Sequence, residues 1–429
     1  MTPYHEDSWL TVHVGDCRAV MADIEPESVH CVVTSPPYWC LRSYLSGDDP
    51  DKVHELGLEA TPDAYVAALV DVFREVKRVL RADGTVWLNL GDSYAASNAS
   101  GPQGLTGGRA NRTFTAQTIP KMGDGLKPKD LVGIPWMVAF ALRADGWFLR
   151  SDIIWSKPNP MPESVTDRPT KSHEYLFLLS KSPTYYFDAE AVREAQTDWT
   201  SATGSVAADK AGVGSAASRG LARGITNNHT GRNIRSVWSI ATQPYPGAHF
   251  ATFPRKLVEP CIKAGTSERG VCPECGAPWL RETSRSAPPP VDQSAIDRYG
   301  TGEAGIHRKV GGQYQKWLDA NPTETTGWRP TCAHYPRTAE WPSLPSRASG
   351  EDVDAYEVRI EPQIILRAEL IASWQSERHV PATVLDPFAG SGTVGMVAQS
   401  LSRRAVLIDL SPDYLRQQMK RNAAMPLGL

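Results

Sequence analysis

The chain has 429 residues, 41% of them hydrophobic, with a formal net charge of -3. That length exceeds one small core and fits two or three domains. The near-neutral balance excludes a globally basic polyanion binder, so any contact with nucleic acid has to come from local basic segments.

The acidic start, "MTPYHEDSWLTVHVGD", lacks the charged-then-apolar layout of a signal peptide. No run approaches about eighteen apolar residues, so no membrane span is predicted. The seven cysteines are scattered, and a reducing cytoplasm is the expected compartment. In chain order, "WLTVHVGD" predicts a short strand entering a Gly-Asp turn. "HCVVTS" predicts a second, valine-rich strand that stops at Thr34-Ser35-Pro36-Pro37-Tyr38-Trp39. "TPDAYVAALVDVFREVKRVLRADG" predicts a helix, capped by Thr61, started by Pro62 and closed by Gly84. Val66, Leu69, Val70, Phe73, Val76 and Leu80 give it one apolar face. "TVWLNLGD" follows as a strand ending in Gly91-Asp92. A helix over Asp130 to Asp145 and the strand "LRSDIIWSK" come next, and "EYLFLLSK" and "TYYFD" are expected to pair as a hairpin across Ser182-Pro183. Residues 95–128 and 195–235 break the alternation and are expected as long loops. The rest indicates an α/β domain with a mostly parallel sheet.

Near the C-terminus, "ATVLDPFAGSGTVGMVAQSLSRRAVLIDLSPDYLRQQMKRNAA" gives strand, Gly-rich turn, helix, strand, acidic turn, helix. Gly390 and Gly392 let the backbone approach a ligand, and free N–H groups at the helix start suit an anionic group. Asp409 ends the second strand, nineteen residues after Gly390, where an acid commonly accepts from ribose hydroxyls. A tight turn alone would explain two glycines. The acid with its strand and helix points to a ligand containing a nucleoside. The third glycine of the dinucleotide fingerprint is missing, and so is a G-K-[ST] phosphate loop.

The Ser-Pro-Pro-Tyr cluster suits a different task. An exocyclic amine of a nucleobase is a poor nucleophile, because its lone pair is delocalised into the ring. The Ser35 hydroxyl and the Pro36 carbonyl can accept its two hydrogens, in a backbone stiffened by Pro36 and Pro37. Tyr38 can stack on an extruded base, with Trp39 or Trp155 assisting. Such chemistry needs an activated methyl group held in line and no metal. A proline-rich turn with packed aromatics is the plainer alternative. The end of a valine strand is, however, where ligands meet an open α/β sheet.

Together these segments resemble an amino-group DNA methyltransferase of the beta group, which uses S-adenosylmethionine. Thr34-Ser35-Pro36-Pro37-Tyr38 is similar to the family's catalytic motif, and "LDPFAGSGT" to its cofactor loop. Asp409 matches the ribose-binding acid. "VHVGDCRAV", with Asp16 and Cys17, resembles the segment beside the cofactor's adenine. "GAHFATFPRKLVEPCIKAGT", with His249, Thr252, Phe253 and Pro254, resembles the segment over its methionine end. "RVLRADGTVWLNLGDSY" and "DIIWSKPNPMPES" also match. The resemblance covers most of 9–190, 235–267 and 360–424. It implies a circularly permuted, Rossmann-like methyltransferase sheet flanked by helices. It implies catalytic residues Ser35, Pro36, Pro37 and Tyr38. It implies cofactor contacts from Asp16, Cys17, Thr34, His249, Thr252, Phe253, Asp386, Phe388, Gly390, Ser391, Gly392, Thr393 and Asp409. Double-stranded DNA is the implied partner, and a cognate restriction endonuclease is a companion to look for. Serine at the first motif position is typical of cytosine-N4 enzymes, with adenine N6 as the alternative.

"GVCPECGAPW" and "RPTCAHYP" supply Cys272, Cys275, Cys332 and His334, a ligand set that suits structural zinc. Unrelated cysteines are the alternative, given the long gap between the pairs. The expected organisation is therefore a catalytic domain in two parts, 1–267 and 346–429, split by a zinc-ribbon-like insertion, 268–345. Arg281, Arg285, Arg298, Arg308, Lys309 and Lys316 in the insertion either face phosphates or simply meet solvent. Residues 191–235 fit a target-recognition segment, with Arg219, Arg223, Arg232 and Arg235 as DNA-binding candidates, or else a linker. Residues 101–129 offer Arg109, Arg112, Lys121, Lys127 and Lys129 to DNA. His173 is expected to position other groups, since methyl transfer needs no strong base. A methyltransferase of RNA or of a protein amide is a second reading. A non-enzymatic, zinc-containing DNA-binding regulator is a third.

Overall fold

The computed structural model describes residues 2–40, 43, 45, 48–95, 125–194, 232–243, 253–284, 323–348 and 350–423. Its strands are β1 (His5–Glu6), β2 (Leu10–Val14), β3 (Val29–Thr34), β4 (Leu80–Leu90), β5 (Phe148–Ser156), β6 (His173–Ser180), β7 (Val237–Ser239), β8 (Trp279–Ser284), β9 (Glu324–Pro330), β10 (Thr383–Asp386) and β11 (Arg404–Asp409). The helices are α1 (Cys17–Ala22), α2 (Pro62–Val79), α3 (Ile134–Ala144), α4 (Arg255–Gly265), α5 (Val353–Trp374), α6 (Thr393–Ser400) and α7 (Pro412–Ala423).

A nine-stranded sheet runs β1-β2-β11-β10-β3-β4-β6-β5-β7. From β2 to β4 every neighbour is parallel, and β10 and β11 lie between β2 and β3. Strand alternation gives each residue a side. Val32 joins the core beneath α1, α2 and α3. Cys31 and Val33 join the opposite core, with α4 and α6. Both faces are covered, which is why the inner strands are continuously apolar.

The helix predicted from residue 61 ends five residues before Gly84. Thr61 Oγ1 accepts from the Ala64 N–H at 3.2 Å, and Pro62 opens the helix, as expected. Leu80 then turns extended and is already strand. Residues 81–84 form a bulge, because Val29 pairs with Leu80 and Cys31 with Thr85. Gly84 is needed for close approach: a Cβ there would lie 2.6 Å from Leu80 Cδ1. The predicted hairpin across Ser182-Pro183 is absent. "EYLFLLSK" becomes β6, which pairs with β4 and β5. "TYYFD" is tied down elsewhere, by Tyr186 N–H to Asp83 O and Asp188 N–H to Ala264 O. No helix among the described residues is long and apolar enough to cross a membrane.

One side-chain bond joins neighbouring strands at their carboxyl ends. Thr34 Oγ1 donates to Asp386 Oδ1 at 2.7 Å, and the Phe388 N–H donates to the same oxygen at 3.1 Å. Asp386 is 1% exposed. Burial pushes its carboxyl up to about 7, against the pull of these two donors. The folded chain therefore holds a proton there that the unfolded chain has released. The associated stability is fully present below pH 3.8 and is lost as pH rises through about 7. Asp386→Asn keeps the acceptor and removes the charge. Its melting temperature relative to wild type is expected to rise between pH 5 and pH 8, by the equivalent of about 2–3 kcal/mol. A difference that does not change with pH would contradict a buried carboxylate here.

Candidate active site

The carboxyl ends of β2, β3, β10 and β11 meet along one edge of the sheet, and a pocket opens there. Five segments line it: Gly15 to Cys17, Ser35 to Tyr38, His54 to Leu56 with Leu45 beside it, Pro387 to Ser391 with Thr393, and Asp409 to Ser411 with Tyr414. Phe253, just before α4, completes the wall. Two motifs more than 350 residues apart in the chain are thus brought to one cavity.

The Gly-rich turn folds as its glycines require. Gly390 and Gly392 have φ of 48° and 72°, left-handed values that side chains avoid. The Gly390 N–H donates to Asp409 Oδ2 at 2.7 Å, and the Ser411 N–H donates to Oδ1 at 2.9 Å. The anion meeting the loop's amide is thus the chain's own acid. A carboxylate accepts about four hydrogen bonds, so these two leave lone pairs at the pocket. Burial pushes Asp409 up to about 7, while the two amides oppose it. At the first of the lining segments, Asp16 caps α1 and binds Arg18, with Nη2 to Oδ2 at 2.5 Å. Burial pushes the Cys17 thiol up to about 12, so it stays neutral and packs in the core.

The Ser-Pro-Pro-Tyr turn is rigid on both sides. Tyr65 donates to the Pro37 carbonyl at 2.7 Å. Among the described residues none donates to the Pro36 carbonyl. The Tyr38 ring lies against Gly91, where a Cβ would come within 2.5 Å of Cε2. Its hydroxyl donates to Glu174 Oε2 at 2.8 Å, with Asn89 Oδ1 at 3.2 Å. Ser35 Oγ donates to the Tyr38 oxygen at 3.4 Å. Glu174 is itself paired with Lys157, whose Nζ sits 4.3 Å over the Trp155 ring. Burial, together with the Glu174 carboxylate, pushes the phenol well above its usual range, so it remains a donor.

Several expected site residues have other work. Thr34, Asp386 and Gly392 lie behind the pocket wall and support it. Trp39 is buried, with its indole donating to Glu59 O, and Trp155 donates to Ile240 O. Neither reaches the pocket, because each is packed in the core. His173 forms an edge contact with Tyr175 at 5.4 Å. Arg232 and Arg235 both bind Glu194 at 2.8 Å, so one carboxylate lies between two guanidiniums, and Arg235 stays exposed. Arg281 likewise binds Asp188 and Glu268 and stacks over Trp328. Lys127 and Lys129 pair with Asp130 and Asp167. Cys272, Cys275, Cys332 and His334 do converge, away from the pocket. His249, Thr252, Arg219, Arg223, Arg109, Arg112, Lys121, Arg285, Arg298, Arg308, Lys309 and Lys316 lie outside the described residues. Glu174 and Asn89, inside strands, and Lys157, just past the end of β5, carry no local signal of a site. Tyr414 and Ser411 were also missed, although the acidic turn before α7 pointed to them.

The model of the DNA methylase family matches residues 29–272 and 368–420. The type II methyltransferase M.Cfr9I of Citrobacter freundii is 46% identical over 257 residues, which covers 60% of this chain and 72% of that protein. The type II methyltransferase M.SfiI of Streptomyces fimbriatus is 30% identical over 426 residues, covering 96% of this chain and 90% of that one. Among solved structures, the PvuII DNA methyltransferase (cytosine-N4-specific) aligns with a TM-score of 0.48 and 14% identity, covering 100% of this chain and 90% of that chain. The chain belongs to the DNA methylase family and is a DNA amino-methyltransferase.

Proposed function

We propose that the protein methylates the exocyclic N4 of a cytosine flipped out of duplex DNA, at a specific site. The observation that carries the choice of base is Ser35 at the first position of the motif, on the pocket wall. Relatives named as type II methyltransferases support a site-specific enzyme.

S-adenosylmethionine, when bound, supplies a methyl group made electrophilic by its sulfonium. The pocket suits it by its chemistry. Asp409 keeps acceptor sites for ribose hydroxyls, and Phe253, Phe388 and Tyr414 offer apolar walls to a flat purine. The chain does the rest by positioning. Ser35 Oγ and the Pro36 carbonyl accept the two amino hydrogens, which localises the nitrogen lone pair. Tyr38, held between Gly91 and Glu174, gives the base a fixed face to stack on. Orientation of this kind replaces general-base catalysis as the main source of rate. Adenine N6 presents the same amine geometry and is the second reading.

Mass spectrometry of nucleosides from DNA treated with the enzyme and cofactor is expected to show 4-methylcytosine. Finding 6-methyladenine instead would overturn the base assignment. Ser35→Ala is expected to slow methyl transfer by about 10²–10³-fold while cofactor affinity, read by equilibrium dialysis, is kept. Tyr38→Phe keeps the ring and loses the hydroxyl's contacts with Glu174, Asn89 and Ser35, so its rate should stay within about tenfold of wild type. Tyr38→Ala removes the stacking face and should cost roughly another tenfold or more. Equal losses in the two variants would place the work of Tyr38 in its hydroxyl.

A further inference from the structure

We propose that Cys272, Cys275, Cys332 and His334 bind one zinc ion, and that this knuckle is a clasp on the amino-terminal ends of the three strands that carry the catalytic motifs. The four donor atoms lie within 4.8 Å of one another. Cys272 Sγ and His334 Nδ1 are 3.6 Å apart. Zinc bonds of about 2.3 Å to sulfur and 2.0–2.1 Å to nitrogen, at tetrahedral angles, put such atoms roughly 3.6 Å apart. None of the three cysteines is in a disulfide. Three thiolates and an imidazole are soft to borderline ligands and select zinc over the hard cations.

The fold builds this site in two pieces. The Gly276 N–H donates to Cys272 O at 2.8 Å, and Gly276 has a φ of 68°, which turns the first knuckle. β8 and β9 then pair antiparallel, with Trp279 opposite Pro330. That register brings Cys332 and His334 back to Cys272 and Cys275. Trp279, Tyr335, Leu370 and Trp374 form a small core behind them.

Three contacts run from the knuckle to the main sheet. His30, in β3, has Nε2 3.0 Å from Gly276 O, while its Nδ1 accepts from the Thr383 N–H at 3.0 Å. The second bond fixes the tautomer, so Nε2 carries the proton and donates. Arg81, at the start of β4, donates to Cys275 O at 2.5 Å. Val271 and Val380 exchange N–H to O bonds of 2.8 and 3.0 Å just before β10. A side chain at Gly276 would push Arg81 aside, since a Cβ would lie 2.8 Å from its Nη1, and would be strained at the φ of 68°. The other ends of these same strands carry Ser35, the Asn89 and Gly91 contacts to Tyr38, and Asp386. Five residues at about 3.3 Å separate His30 from Ser35, so the His30 end of the clasp is roughly 17 Å from the chemistry. Four protein ligands also leave no open position, so the role is structural.

The test uses the full-length chain, purified reduced. Elemental analysis is expected to find about one zinc per chain. Replacement by cobalt(II) should give thiolate charge-transfer bands in the near ultraviolet and tetrahedral visible bands. Both should be lost in the Cys275→Ser/Cys332→Ser double variant. A reduced protein with neither zinc nor a cobalt spectrum overturns the site, and so does a double variant that keeps its metal. For the clasp, chelation should lower the melting temperature by several degrees and speed amide exchange at the first residues of β3 and β10. Arg81→Ala should keep the metal yet show the same loosening in part. A metal that can be removed with melting and exchange unchanged would refute the clasp.

Discussion

The hydrogen bond from Thr34 to Asp386 is the point on which the site depends. It joins the last residues of two parallel neighbours, β3 and β10, in a region closed to water. One strand runs straight into the Ser-Pro-Pro-Tyr turn, the other into the Gly-rich loop. Their spacing is thus fixed by a bond of 2.7 Å between buried side chains. A buried carboxyl is costly, and here it is held by a hydroxyl and an amide aimed at one oxygen. The molecule tolerates that cost where the Ser-Pro-Pro-Tyr turn and the Gly-rich loop meet.

A second tier of contacts fixes the angle of Tyr38. Glu174 comes from β6, Asn89 and Gly91 from the end of β4, and Lys157 from just beyond β5. β6 runs antiparallel to both β4 and β5, so Glu174 reaches the site from the start of its strand and Asn89 and Lys157 from the ends of theirs. At the far end of β3, β4 and β10, the cysteine knuckle meets His30, Arg81 and Val380. The strands that lead into the pocket are therefore restrained at both ends. Methyl transfer by positioning gains most from such a frame, because small errors in alignment are costly.

The sequence was a good guide where one local rule dominated. Thr61 and Pro62 start α2, and Gly390 and Gly392 take left-handed φ, as their types require. It was a poor guide where a residue's role depends on a distant partner. Gly84 looked like a helix stop, yet it is small because Leu80 and the His30 carbonyl crowd it. The hairpin at Ser182-Pro183 was plausible locally, but the pairing on offer to β6 from β4 and β5 was longer and better matched. Arg232 and Arg235 share Glu194, a partner 38 and 41 residues earlier that the local pattern does not show.

By itself the sequence determined the motifs: a serine and two prolines at a strand end, a glycine loop with an acid on the next strand, and a Cys3His set. Each is a short-range pattern whose steric or hydrogen-bonding demand is carried by the residues themselves. Only the tertiary structure decided which of these patterns meet. The insertion of β10 and β11 between β2 and β3 brings the two motifs to one pocket. The β8–β9 pairing closes the cysteine set. It also recruited Glu174, Asn89, Lys157 and His30, whose partners lie far along the chain. Strand order and register are set by the summed burial of two cores, a long-range quantity that no local stretch encodes.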